Sequence, residues 1–134
     1  MIVVVDTNVL ISGLLNPHGA PGRIVDLLVR GSLRAAYDDR ILAEYREVAK
    51  RERFGFDPAA IAELLDFLEA EGVRVLAAAL ACRLPDPADR MFLEVAAEAQ
   101  AEALITGNLK HFPDSERCGI RVVSPAEFLG APSA

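Results

Sequence analysis

The chain has 134 residues, 52% hydrophobic and 25% charged, which suits one compact domain with a single core and argues against disorder. Its net charge of −6, from 20 acidic and 14 basic residues, argues against a protein that holds nucleic acid by bulk electrostatics alone. No stretch approaches the roughly 20 uncharged apolar residues of a membrane span.

Met1-Ile2-Val3-Val4-Val5 lacks the basic start of a signal peptide and reads as a first strand, Ile2 to Val5, buried on both faces. Asp6 follows at once and could cap a helix. Residues 22–30 place Ile24, Leu27 and Leu28 at helical spacing, and Gly31 stops them. Leu33 to Tyr37 suits a second strand. Asp38 or Asp39 then caps a helix with Ile41, Tyr45 and Val48 on one face. Asp57-Pro58 opens the next helix, whose stripe of Ile61, Leu64, Leu65 and Leu68 ends at Gly72. Val73 to Leu76 is a third strand. Asp86-Pro87 opens a long helix to about Gln100. Ala103 to Thr106 and Ile120 to Val123 are strands four and five, and Ser124-Pro125-Ala126-Glu127 is a capping box. The alternation predicts an α/β fold with a mostly parallel sheet. One domain over residues 1–129 is expected, with a frayed end at 130–134. Cys82 and Cys118 show no metal-ligand spacing and read as reduced thiols of a cytoplasmic protein.

Three acids fall where the pattern expects apolar residues or a strand end. Asp6 ends the first strand, where ligands gather in open α/β sheets. Glu44 shares the helix stripe of Ile41, Tyr45 and Val48, whereas Glu47 takes the solvent face. Asp89 precedes Phe92, Leu93 and Ala96 at helical spacing, and Asp86 is the natural cap. A buried carboxylate needs a partner, either a metal or a cation such as Arg40 four residues before Glu44. Three such acids converging at one sheet end need a cation to stay ionised, and hard oxygen ligands select magnesium or manganese. Thr106 and Asn108 follow the fourth strand and Ser12 lies beyond Asp6, placed to orient water or carboxylates, though turn and cap roles serve as well.

Val4-Val5-Asp6-Thr7-Asn8-Val9, Ile41-Leu42-Ala43-Glu44-Tyr45, the run from Asp86 to Ala96 and Leu104-Ile105-Thr106-Gly107-Asn108 resemble, in order, the four motifs of PIN domains. The likeness is to the bacterial toxin branch related to VapC-like toxins. It implies a three-layer α/β/α fold around a parallel sheet of about five strands, and metal-dependent RNA cleavage with Mg2+ or Mn2+ on Asp6, Glu44 and Asp89. It also implies a cognate antitoxin and a homodimer. Thr7, Asn8, Ser12, Thr106 and Asn108 would support the acids. Asn108 stands where many PIN domains carry a fourth acid, which makes one metal more plausible than two. Arg40, Arg46, Lys50, Arg51 and Arg53 are expected RNA contacts or a solvated helix face. A receiver-like phosphoryl-transfer domain would need an aspartate after the third strand, where Ala77, Ala78 and Ala79 stand. A site decayed into an RNA- or protein-binding module is the other alternative.

Overall fold

The computed structural model describes residues 1–130; the expected frayed end beyond Gly130 lies outside the described residues. Five strands form one parallel sheet in the order β3-β2-β1-β4-β5. They are β1 (Ile2–Val5), β2 (Arg34–Tyr37), β3 (Val73–Arg74), β4 (Ala103–Ile105) and β5 (Val122–Val123). Among the described residues five α-helices lie between strands, α1 (Thr7–Leu15), α2 (Ala20–Val29), α3 (Asp39–Ala49), α4 (Pro58–Glu71) and α5 (Arg90–Ala99), and α6 (Pro125–Phe128) follows β5. The result is the three-layer α/β/α arrangement. Val3, Val4 and Val5 are at most 1% exposed, so the central strand is apolar on both faces.

The strand order explains where a site can form. From β1 the chain crosses to β2 and β3 on one side, then returns to place β4 and β5 on the other. That reversal opens a crevice at the carboxyl ends of β1 and β4. Val5 pairs with Ile105, and the Asp6 amide donates to the Ile105 carbonyl at 2.9 Å. Asp6 and Thr106 therefore leave neighbouring strands side by side.

The helix starts follow local chemistry. Asp38 accepts from the Ile41 amide at 3.0 Å and caps α3. Asp57 accepts from the Ala59 amide to cap α4, with Pro58 at the first helical position. Ser124 and Glu127 close a reciprocal capping box on α6. Gly72 ends α4 where a Cβ would lie 2.5 Å from the carbonyl oxygens of both Ala35 and Leu68, so no larger residue fits between α4 and β2.

The ordered elements are shorter than the sequence pattern suggests in three places. The expected long helix from Asp86 divides: Asp86 caps a 3-10 turn, Pro87–Asp89, and α5 begins only at Arg90. The third strand stops at Arg74, with one further bond from the Val75 amide to the Tyr37 carbonyl. The fifth keeps only Val122 and Val123. β3 and β5 are edge strands with one neighbour each, so fewer ladder bonds hold their ends. Cys82 and Cys118 are both free, and no described helix is long and apolar enough to cross a membrane.

Candidate active site

Asp6, Glu44 and Asp89 line one cleft of ≈ 490 Å³, together with Thr7, Asn8, Ser12, Asp86 and His111. β1 delivers Asp6, which is 5% exposed. Its Oδ2 accepts from the Thr106 hydroxyl at 2.8 Å and from the Asn8 amide at 3.4 Å. Burial raises the Asp6 carboxyl above its ordinary range; the Thr106 hydrogen bond opposes that rise, and the nearby charge of Glu44 adds to it.

Helix α3 delivers Glu44, half-buried rather than enclosed. Its Oε2 accepts from the Thr7 hydroxyl, the first helical residue after Asp6. One turn of chain thus supplies Asp6 and the group that holds Glu44. Next to Glu44, the fully buried Tyr45 donates its hydroxyl to the Val5 carbonyl, tying α3 to the end of β1. Arg40 does not reach Glu44; its guanidinium pairs with Asp38 at 2.7 Å and with Glu94 at 2.8 Å.

Asp89 ends the 3-10 turn before α5, and its side chain is 15% exposed. Its Oδ2 is buried and has no hydrogen bond. His111 lies beside it, with Nδ1 3.3 Å from that oxygen. Burial, then Asp6 and Asp86, push the Asp89 carboxyl up to about 6; His111 opposes this and Glu44 adds to it. The Asn108 amide meets the other ring nitrogen of His111 at 3.1 Å, and the Asn108 backbone N–H donates to the Thr106 hydroxyl at 3.0 Å. Asn8 completes the frame by accepting from the Gly107 amide at 3.2 Å.

The geometry brings together the three acids, Thr7, Asn8, Thr106 and, through His111, Asn108. Ser12 lines the cleft but is exposed and bonds to none of them. Of the five basic residues, Arg51 and Arg53 line the cleft. Arg40 stands in a neighbouring cleft, and Arg46 and Lys50 line a separate groove against α4. Arg46 also pairs with Glu69 at 3.4 Å.

Two residues escaped the sequence reading. Glu94, buried at 6% exposure, accepts from Arg40 and from the Leu80 amide and so pins the segment after β3. His111 carried a usable signal. It stands three residues after Asn108 across a 3-10 turn, where side chains three apart eclipse one another.

The donor set suits a hard divalent cation: carboxylate oxygens that repel one another, one of them buried without a hydrogen bond. Among the described residues no three acidic, histidine or cysteine groups are gathered tightly enough to hold an ion by themselves.

Comparison with known proteins decides the family. The PIN domain model matches residues 2–110. The chain belongs to the PIN domain family. The match includes all three acids as well as Thr106 and Asn108. An uncharacterized protein of Methanocaldococcus jannaschii is 65% identical over 26 residues, which cover 19% of this PIN chain and 17% of that protein. In three dimensions the PIN chain is similar, with a TM-score of 0.55, to a chain in the crystal structure of VapBC2 from Rickettsia felis bound to a DNA fragment from their promoter. The two are 18% identical, over 92% of this chain and 98% of that one, a likeness of fold.

Proposed function

We propose that this PIN domain is an endoribonuclease that hydrolyses RNA phosphodiester bonds, with Mg2+ or Mn2+ held by Asp6, Glu44 and Asp89. The observation that carries the reading is the buried, unbonded Oδ2 of Asp89 in a cleft it shares with Asp6 and Glu44. A fold keeps repelling carboxylates half-satisfied where they have work as ligands. A divalent cation, once bound, would neutralise that charge and polarise both a phosphate oxygen and a water molecule.

The remaining roles fall to the chain. Thr106 and Asn8 hold one oxygen of Asp6 with their side chains, and the Thr7 and Asn8 backbone also bonds to the carboxylate. Thr7 holds one oxygen of Glu44 in the same way. The two ring nitrogens of His111 lie against Asn108 and Asp89, so the ring links the two residues. Asn108 in this reading supports Asp89 through His111 and adds no charge of its own, in keeping with one metal rather than two.

The likeness to the VapBC2 chain supports a cognate antitoxin; the motifs of the VapC-like branch are the ground for reading the chain as a homodimeric toxin of the cytoplasm. The test is cleavage of a mixed RNA pool by purified protein with Mn2+ or Mg2+, against EDTA and an Asp6→Asn, Asp89→Asn double variant. Cutting that needs both the metal and the acids is expected. RNA bound tightly but never cut would make the domain a binding module, and cutting by the double variant would move the chemistry elsewhere.

A further inference from the structure

A second cleft, ≈ 600 Å³, adjoins the first. The two share Glu44 as a wall and flank the 86–89 turn: Asp86 and Asp89 face the first cleft, Pro87 and Ala88 the second. Each holds an exposed guanidinium with no ion-pair partner among the described residues. Arg53 is the one in the first cleft and Arg90 the one in the second. The other arginines nearby are engaged, Arg40 by Asp38 and Glu94 and Arg51 by Glu47. In a chain of net charge −6, two free guanidiniums on either side of an acidic centre are placed to attract an anion that reaches both.

The first arm carries more than charge. Phe54 lines it, with the Arg53 guanidinium 4.9 Å from its ring centroid, and the Phe54 ring stacks near Phe56 at 5.7 Å between centroids. Planar guanidinium and aromatic faces stack with nucleobases without demanding a sequence. Asp6 lies on the floor at 5% exposure, so a scissile phosphate must descend into the cleft.

We infer that the two clefts form one continuous path for the RNA backbone, with Arg53 in the first cleft and Arg90 in the second each holding a phosphate. This inference rests on the ribonuclease reading and assigns its substrate a path and two anchoring residues. Arg90 lies outside the cluster that the sequence singled out, and Arg40 serves as a wall of the second arm.

Fluorescence anisotropy tests the groove apart from the chemistry, using the Asp6→Asn, Asp89→Asn protein and a labelled oligouridine of about 12 nucleotides. Arg53→Glu and Arg90→Glu, each confirmed as folded by thermal melting, should weaken binding about tenfold apiece. Both together should weaken it about a hundredfold, because the sites are separate. Each reversal should also flatten the dependence of log K on log salt by about 0.7, one phosphate contact on a single strand. Arg53→Lys and Arg90→Lys should keep the salt slope. An Arg90→Glu protein with unchanged affinity and slope, or no binding of the oligouridine, would each overturn the groove. Binding that obeys the arginines while the wild type fails to cut would retain the groove and defeat the nuclease reading instead.

Discussion

At Asp89 a carboxylate with one buried, unbonded oxygen faces the charges of Asp6, Asp86 and Glu44. Its folded value, about 6 against an ordinary 3.8, means that the fold pays for ionisation. For an acid raised by folding, the cost is absent below about pH 4, grows as pH climbs toward 6 and stays constant above. Discounted for solvent on the open side of the cleft, it amounts to about 1–2 kcal/mol at neutral pH. Asp89→Asn is therefore expected to raise the stability of the metal-free protein by that amount at pH 7 and to give no gain near pH 4. Urea denaturation in EDTA at the two pH values measures it. The same variant should lose most of the stabilisation that Mn2+ gives the wild type, since a cation that binds only the folded state raises its stability. A variant less stable than wild type in EDTA at pH 7 would mean that Asp89 holds the fold together.

Helix α3 connects the site to the sheet. Asp38 caps it and pairs with Arg40, and Tyr45 ties it to Val5 immediately before Asp6. Asp38→Ala removes the cap and leaves Arg40 with Glu94 alone, so a loss of about 2 kcal/mol is expected. Chemical denaturation checks the value, and a loss below about 0.5 kcal/mol would show that packing alone sets the helix start. Such elements were legible because their signals are local. Valine runs mark β1, Asp-Pro marks α4, and the capping box marks α6. Glu44 was legible as a polar residue on an apolar stripe. The unread parts depend on distant partners. Nothing local shows that Arg40 turns to Glu94, 54 residues away, or that Arg74 ends β3. The break at Asp89 escaped because a 3-10 turn and an α-helix share the same opening residues. His111 escaped because its partner Asp89 comes from another element.

On the scale of the whole molecule, the order β3-β2-β1-β4-β5 explains why acids 83 residues apart can share a cleft (Asp6 and Asp89, 89 − 6). β1 brings Asp6 to the crevice, β4 brings Thr106 beside it, and the helices next to them supply Glu44 and Asp89. In the proposed reading the overall negative charge would keep RNA away from most of the surface and leave binding to a few arginines and the cation. The measurement that bears most directly on the central claim is the chemistry of the cut ends. In the proposed reaction water attacks the phosphorus, the P–O3′ bond breaks and the 3′-oxygen leaves and takes up a proton, giving one 5′-phosphate and one 3′-hydroxyl. Attack by the RNA's own 2′-hydroxyl leaves a 2′,3′-cyclic phosphate and needs neither the acids nor the cation. Mass spectrometry of a defined RNA cleaved by the wild type should find 5′-phosphate and 3′-hydroxyl ends, formed with Mn2+ or Mg2+ and absent in EDTA and with the Asp6→Asn, Asp89→Asn variant. Cyclic phosphate ends, or cutting that persists in EDTA, would contradict the account.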